Sequence, residues 1–198
     1  MKTSKGLVKE TDKISARSSI AVRIINTTEF STPLGPMLAG ATSEGICLLE
    51  FTNRIRLDKE LYDLKTLLNA VIVPDQNPFL NQLEIEISEY FQGLRKTFSV
   101  PLHIPGNEFA QAVWKILQEI PYGKTCSYKE QSLMMNNPKA IRAIASTNGR
   151  NRIAIIIPCH RVIGSAGNMT GYAAGIDKKK WLLRFERENS DIVPGTLF

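Results

Sequence analysis

The sequence predicts an α/β N-terminal half, a small antiparallel sheet with helices, joined to a mainly α C-terminal half that contains a helix-turn-helix. Three observations predict it. Short apolar stretches separated by Gly, Pro and Ser turn signals fill residues 21–51. Apolar residues at helical spacing dominate 59–92 and 107–120. Two short helical segments joined by a tight Asn-Asn-Pro turn occupy 127–147. The domain boundaries expected are a flexible polar tail over 1–20, an α/β support domain over 21–100 and a second domain over 105–198.

Within the first half, residues 21–27, about 36–41 and 44–51 read as strands, with Gly35-Pro36 and Ser43-Glu44-Gly45 as turns. A first helix is expected from about Lys59 to Val71, with Leu61, Leu64, Leu67, Leu68 and Val71 on one face. A second should run from Pro78 to about Gln92. Asn77 suits its N-cap, Pro78 its first position and Gly93 its end. Phe79, Leu80, Leu83, Ile87 and Phe91 form its apolar stripe. This half carries no chemical motif, so support is its expected role.

Residues 98–106, with Pro101 and Pro105, read as the connection. A helix then follows from Asn107, with Phe109, Val113, Ile116, Leu117 and Ile120 aligned, and stops before Pro121-Tyr122-Gly123. Ser127-Tyr128-Lys129-Glu130 has the form of a capping box, so a short helix should start at Ser127 and end near Met134 or Met135. Asn137 and Pro138 suit the N-cap and first position of the next helix. Its Ile141, Ile144 and Ala145 can pack inward. Ala140, Ala143 and Ser146 leave a flat outer side with Arg142 as the one long cation. Such a surface fits minor-groove or backbone docking on DNA better than major-groove reading, and it equally fits an ordinary packing helix.

The 198 residues have 43% hydrophobic and 22% charged side chains, an ordinary soluble composition. No apolar stretch reaches membrane-spanning length, and the start MKTSKGLVKETDK lacks a signal-peptide core, so a cytosolic location is expected and no membrane partner. Cys47, Cys126 and Cys159 are too few and too scattered for a disulfide framework. With only His103 and His160, no metal site is expected. The net charge of +6 is uneven: +3 over 1–20, −3 over 21–103 and +6 over 104–198. A basic second half suits a polyanionic partner, or is simply a solvated surface.

The most informative segment is Pro158-Cys159-His160-Arg161-Val162, straight after the apolar run Ile153-Ala154-Ile155-Ile156-Ile157. The run reads as a buried strand. A strand that stops at proline and presents Cys-His suits a mounted nucleophile, because an imidazole can help to generate the reactive thiolate. Taken alone, the pair fits an inert buried cysteine just as well. Neighbours on a strand rarely face each other, so a water relay between thiol and imidazole is expected rather than direct contact.

Ile157-Pro158-Cys159-His160-Arg161-Val162 resembles the I-P-C-H-R-V signature of the O6-alkylguanine-DNA alkyltransferases, the methylated-DNA–protein-cysteine methyltransferases. Pro121-Tyr122-Gly123-Lys124, Ser127-Tyr128, Pro138-Lys139-Ala140-Ile141-Arg142-Ala143, Gly171-Tyr172-Ala173-Ala174-Gly175 and Lys180-Trp181-Leu182-Leu183 match its flanks. The resemblance is strong over about 105–187, looser over 21–104 and absent in the tail.

The resemblance implies direct repair of duplex DNA. The base is flipped out and its O6-alkyl group moves irreversibly, once per molecule, to Cys159. It makes His160 the proton acceptor, Glu186 the carboxylate holding the histidine, Asn151 the brace behind the turn and Tyr128 the donor to the purine. Arg142 becomes the finger replacing the flipped guanine, with Ala140, Ala143 and Ser146 around it on the DNA-binding helix. Val162, Tyr172 and Ala173 would line the base pocket. It implies no cofactor and no metal, a monomer acting on DNA that contains O6-alkylguanine, and a nucleoid association when bound. The family often has Ser where Ala173 stands, so a hydroxyl contact is lost there. Two other classes share parts of the pattern: a damage-binding protein without transfer, which Cys159 argues against, and a helix-turn-helix regulator or redox sensor, which would have no need of Tyr128.

Overall fold

The computed structural model describes residues 22–190; the expected tail over 1–20 lies outside them. Strand β1 (Arg23–Phe30) pairs antiparallel with β2 (Met37–Thr42), which pairs antiparallel with β3 (Gly45–Phe51). Glycine is required at Gly45, where φ is +141° and a Cβ would lie 2.5 Å from the Pro101 carbonyl oxygen.

Helix α1 (Leu57–Leu68) is shorter than the sequence suggested. Asn69 ends it in the left-handed region, and strand β4 (Ala70–Pro74) follows, parallel to β1. The sheet order is therefore β3-β2-β1-β4, with one parallel edge. The error at Val71 is physical. Leu64 and Leu68 are buried and Leu61 is partly so, but Leu67 is exposed, and β-branched Val71, Ile72 and Val73 favour strand. Helix α2 (Pro78–Phe91) matches expectation. Asn77 Oδ1 accepts the Phe79 N–H at 2.9 Å, and Leu80, Leu83 and Ile87 are buried.

In the second half, α3 (Glu108–Gln118) is capped by Asn107, whose side chain accepts the Ala110 N–H. The two-residue strand β5 (Cys126–Ser127) leads into α4 (Tyr128–Met134), whose capping box of Ser127 and Glu130 is complete. The next helix, α5 (Ile141–Asn148), starts three residues later than Pro138 suggested. Asn137 and Pro138 instead belong to a turn in which the Ala140 N–H donates to the Asn137 carbonyl, and Asn136 before it is left-handed. Ile141, expected inside, is 37% exposed at the helix start, while Ile144 is buried.

The run 153–157 is buried as expected but is not a strand. It forms successive turns, with Ile155 at φ +71°, and pairs its backbone with the sheet at one isolated bridge between Ile153 and Leu49. Burial of aliphatics does not by itself distinguish an extended run from a coiled one. Cys159–Arg161 form a short 3-10 helix rather than strand end, followed by β6 (Val162–Ile163), which pairs parallel with β5. Helix α6 (Ile176–Glu188) closes the described chain.

The halves share one core. Met37, Phe51 and Ile87 from the first lie in the same buried cluster as Val113, Ile157 and Leu182 from the second. The edge of β3 is stitched to the second half: Leu49 N–H donates to Arg152 O and Ala154 N–H to Leu49 O, each at 2.8 Å. The connecting segment joins the same strand, with Ile46 N–H to Pro101 O at 2.8 Å and His103 N–H to Ile46 O at 2.9 Å.

Candidate functional site

Cys159 is the one free cysteine of three that is not buried. It opens onto a cleft of about 400 Å³ lined also by Tyr128, Tyr172, Ala173, Arg54 and Arg150. Asn151 lies directly behind the sulfur. Its Nδ2 donates to Ile157 O at 2.7 Å and reaches Cys159 Sγ at 3.3 Å, while its Oδ1 accepts the Ile153 N–H at 3.0 Å. One buried amide thus folds the 153–157 turns and meets the thiol. Burial pushes the Cys159 thiol up to about 11, against the Asn151 hydrogen bond and the charges of Arg54 and Lys179, which pull the other way. The resting group is a thiol, and its proton must leave as it reacts.

His160 is fully buried and follows Cys159 in the short 3-10 helix. Its Nε2 lies 2.8 Å from Glu186 Oε1, and its Nδ1 is buried with no partner among the described residues. Glu186 is also fully buried. It accepts Arg161 Nε at 2.8 Å, Arg161 Nη2 at 3.0 Å, the Tyr90 hydroxyl at 2.9 Å and the Gly123 N–H at 3.2 Å. Gly123 offers that N–H from a left-handed turn (φ +74°), where a Cβ would strike Ser190. Burial disfavours a charged Glu186, but His160 and Arg161 outweigh it and hold the carboxyl well below its usual range. Burial, outweighing Glu186, holds His160 below its ordinary value, hence neutral at pH 7. An ionised carboxylate only accepts, so Nε2 carries the hydrogen and Nδ1 presents a lone pair.

Behind the loop 164–172, Lys179 is fully buried and its Nζ donates to Val162 O at 2.6 Å, Thr170 O at 2.9 Å and Gly171 O at 3.3 Å. Burial lowers its ammonium, with Cys159 opposing. Tyr172 packs edge-on to His160 at 6.5 Å, and its hydroxyl is buried without a partner among the described residues. Tyr128 has its hydroxyl pushed up by burial, with a Thr170 hydrogen bond opposing. No group of three His, Cys, Asp or Glu side chains among the described residues could hold a metal ion.

The arrangement is a thiol at an open cleft, a neutral imidazole with a free acceptor nitrogen, and a carboxylate fixed by five donor atoms. It can accept a group on sulfur while holding the departing proton. Comparison with known proteins fixes the family. The family model for the DNA-binding domain of 6-O-methylguanine DNA methyltransferase matches residues 108–188, and that for its ribonuclease-like domain matches 25–104. A methylated-DNA–protein-cysteine methyltransferase of Methanosarcina acetivorans is 41% identical over 161 residues, covering 79% of this chain and 95% of that protein.

This chain belongs to the methylated-DNA–protein-cysteine methyltransferase family. The Haemophilus influenzae member is 35% identical over 161 residues, covering 81% of this chain and 85% of its own. Among solved structures, Mycobacterium tuberculosis OGT in complex with DNA superposes with a TM-score of 0.71 at 34% identity, covering 84% of this chain and 94% of that one. The family is one of DNA-repair methyltransferases that bind DNA and place the alkyl group on a protein cysteine.

Against that family, Cys159, Asn151, Tyr128, Tyr172 and Ala173 come together at or behind the cleft, and His160 with Glu186 forms the layer beneath. Val162 is fully buried in β6 and presents its carbonyl to Lys179 instead of a side chain to the cleft wall. Arg142, Ala143 and Ser146 are exposed on α5, with Ala140 partly so, outside the cleft lining. Sequence reasoning missed Arg161, Lys179, Tyr90 and Arg54. Arg161 stood inside the hexapeptide as a cation beside His160. Tyr90 lay outside the apolar stripe read on α2, and its hydroxyl gave no signal.

No helix of the described residues is long and apolar enough to cross a membrane.

Proposed function

We propose that the protein repairs O6-alkylguanine in duplex DNA by moving the alkyl group to Cys159, once per molecule, after the base is flipped into the cleft. The observation that carries this is the Cys159 sulfur opening onto the cleft with Asn151 behind it and Tyr128 in the wall. Flipping costs a few kcal/mol of unstacking and unpairing. Arg142, exposed on α5 among small residues, offsets part of it by filling the gap. The flat neighbours Ala140, Ala143 and Ser146 let the helix backbone approach the duplex. The protein acts on DNA as a monomer.

The chemistry balances as one displacement. The Cys159 S–H proton passes, through a water, to the lone pair on His160 Nδ1. The sulfur forms a bond to the alkyl carbon as the carbon–O6 bond breaks. The electron pair stays on the guanine, where the Tyr128 hydroxyl donates to the developing charge. The imidazolium is stabilised by Glu186, already ionised and fixed by Arg161, Tyr90 and Gly123. The product thioether has no group in the cleft suited to cleave it, which supports a single turnover.

The test is a duplex carrying labelled O6-methylguanine, followed by mass spectrometry of the protein. One methyl on Cys159 is the expected result, and Cys159→Ala should bind the duplex without acquiring the label. Lesion-dependent binding without an adduct would identify a damage-recognition protein, and neither binding nor adduct a regulator.

A further inference from the structure

The N-terminal half, which the sequence marks only as support, sends one buried side chain to the site. Arg54 follows β3, is 6% exposed, and is held by ion pairs with Glu50 and Glu60. Its remaining donors leave its own half. Nη1 donates to Asn151 O at 3.0 Å and Nη2 to Gly149 O at 2.9 Å. Gly149 is the C-cap of α5, so a fixed cation sits where the helix leaves carbonyls unpaired and where its dipole is negative. Asn151 is the residue whose amide meets the Cys159 sulfur, and Arg54 also lines the cleft. Three elements therefore converge on one guanidinium: the end of β3, helix α1, and the turn that carries both the DNA-facing helix and the amide behind the thiol.

We propose that Arg54 is a positioning residue for alkyl transfer. Its planar fork sets the backbone of 149–151, and through it the aim of the Asn151 amide at Cys159 and the seat of α5 over the cleft. This deepens the function proposed above and rests on Cys159 as acceptor. The fork meets four acceptors at once, the Glu50 and Glu60 carboxylates and the Asn151 and Gly149 carbonyls, and the three donors of an ammonium cannot serve all four in that planar arrangement. Glu50 and Glu60 keep the fork from swinging out to solvent, which a residue serving only to bind DNA would not require.

The test uses the full chain with Arg54→Lys, which keeps the charge and loses the fork. The saturating single-turnover rate on O6-methylguanine duplex should fall roughly tenfold or more, as expected for a small misplacement of reacting groups. The dissociation constant for that duplex should move less than about threefold, separating transfer from binding. In the absence of DNA, the pH profile of Cys159 carboxamidomethylation by iodoacetamide should shift to higher pH as the amide leaves the sulfur. A variant that melts earlier but keeps the wild-type saturating rate and thiol profile would overturn the proposal, as would a loss confined to DNA affinity. Should Arg54→Lys fail to fold, the charge-neutral pair Glu50→Gln with Arg54→Met is judged by the same criteria. If the wild-type protein takes no methyl on Cys159, the acceptor assignment falls, and the thiol profile still decides whether Arg54 governs the sulfur.

Discussion

The side-chain amide of Asn151 spans from the Ile157 carbonyl, 2.7 Å away, to the Cys159 sulfur, 3.3 Å away. Fold and chemistry meet in that one group. The same hydrogen-bond donor that pins the turns before the thiol also favours its ionised form.

Asn151→Ala should therefore damage both. It leaves the Ile153 N–H buried without its partner, while the Ile157 carbonyl keeps the Cys159 N–H at 2.8 Å, at a cost of about 1–3 kcal/mol for the one orphaned group. Urea denaturation reads the stability. Alkyl transfer by the folded fraction should also slow, and an unchanged rate would separate the amide from the chemistry.

Glu186→Gln removes the charge that compensates Arg161. A buried cation left alone costs about 3–5 kcal/mol, so a large drop in denaturant midpoint is expected. Nitrogen NMR of His160 should show hydrogen on Nε2 in the wild type and a mixed tautomer in the variant, because a Gln side chain can donate as well as accept.

The Cys159 thiol, pushed up to about 11 by burial, should react slowly with iodoacetamide at neutral pH. Its rate should climb about tenfold per pH unit and keep climbing beyond pH 9, where an ordinary thiol levels off. A plateau near pH 8.5 would show that burial does not raise this thiol.

Acid should weaken the fold in two stages. His160 is held below its ordinary value, so the unfolded chain binds the proton more readily, and stability falls as pH drops below about 6.5. Glu186 is held low as well. Its contribution is whole above the ordinary carboxylate value and is lost as pH falls further. Thermal melts from pH 7 to 3 should show both losses, and Glu186→Gln should remove most of the second.

Arg142→Ala should reduce base extrusion, followed by 2-aminopurine fluorescence opposite the lesion, by roughly tenfold while affinity for undamaged duplex changes less than about threefold. Equal losses in both would make Arg142 a phosphate contact. Affinity for either duplex should fall steadily with salt, given the basic second half.

Much of this was legible in the sequence for physical reasons. The caps at Asn77, Asn107 and Ser127 are local hydrogen bonds between near neighbours, so their residue types announce them. The hexapeptide with its flanks pointed to the chemistry, and it drew notice to Glu186, whose Oε1 lies 2.8 Å from His160 Nε2 across 26 residues. What stayed hidden was set by long-range contact. The parallel strand β4 depends on β1, 47 residues upstream in register, and its valines could equally finish a helix. Pro138 looked like a helix start, yet a left-handed Asn136 and the turn after it delay α5 to Ile141. Arg54 reaches carbonyls 95 and 97 residues away, and no local pattern marks such a bond.

The stitching of β3 to residues 152–154 also bears on solubility. Of the two outer strands of the sheet, it occupies one, and among the described residues no strand pairs with the outer side of β4. A fragment cut before residue 105 would keep the Ile46 bonds to residues 101–103 but bare the Leu49 stretch of β3, offering template surface on both flanks. Such a piece should self-associate more readily than the intact chain, so dissecting the molecule at its apparent seam would create a hazard that the uncut chain conceals.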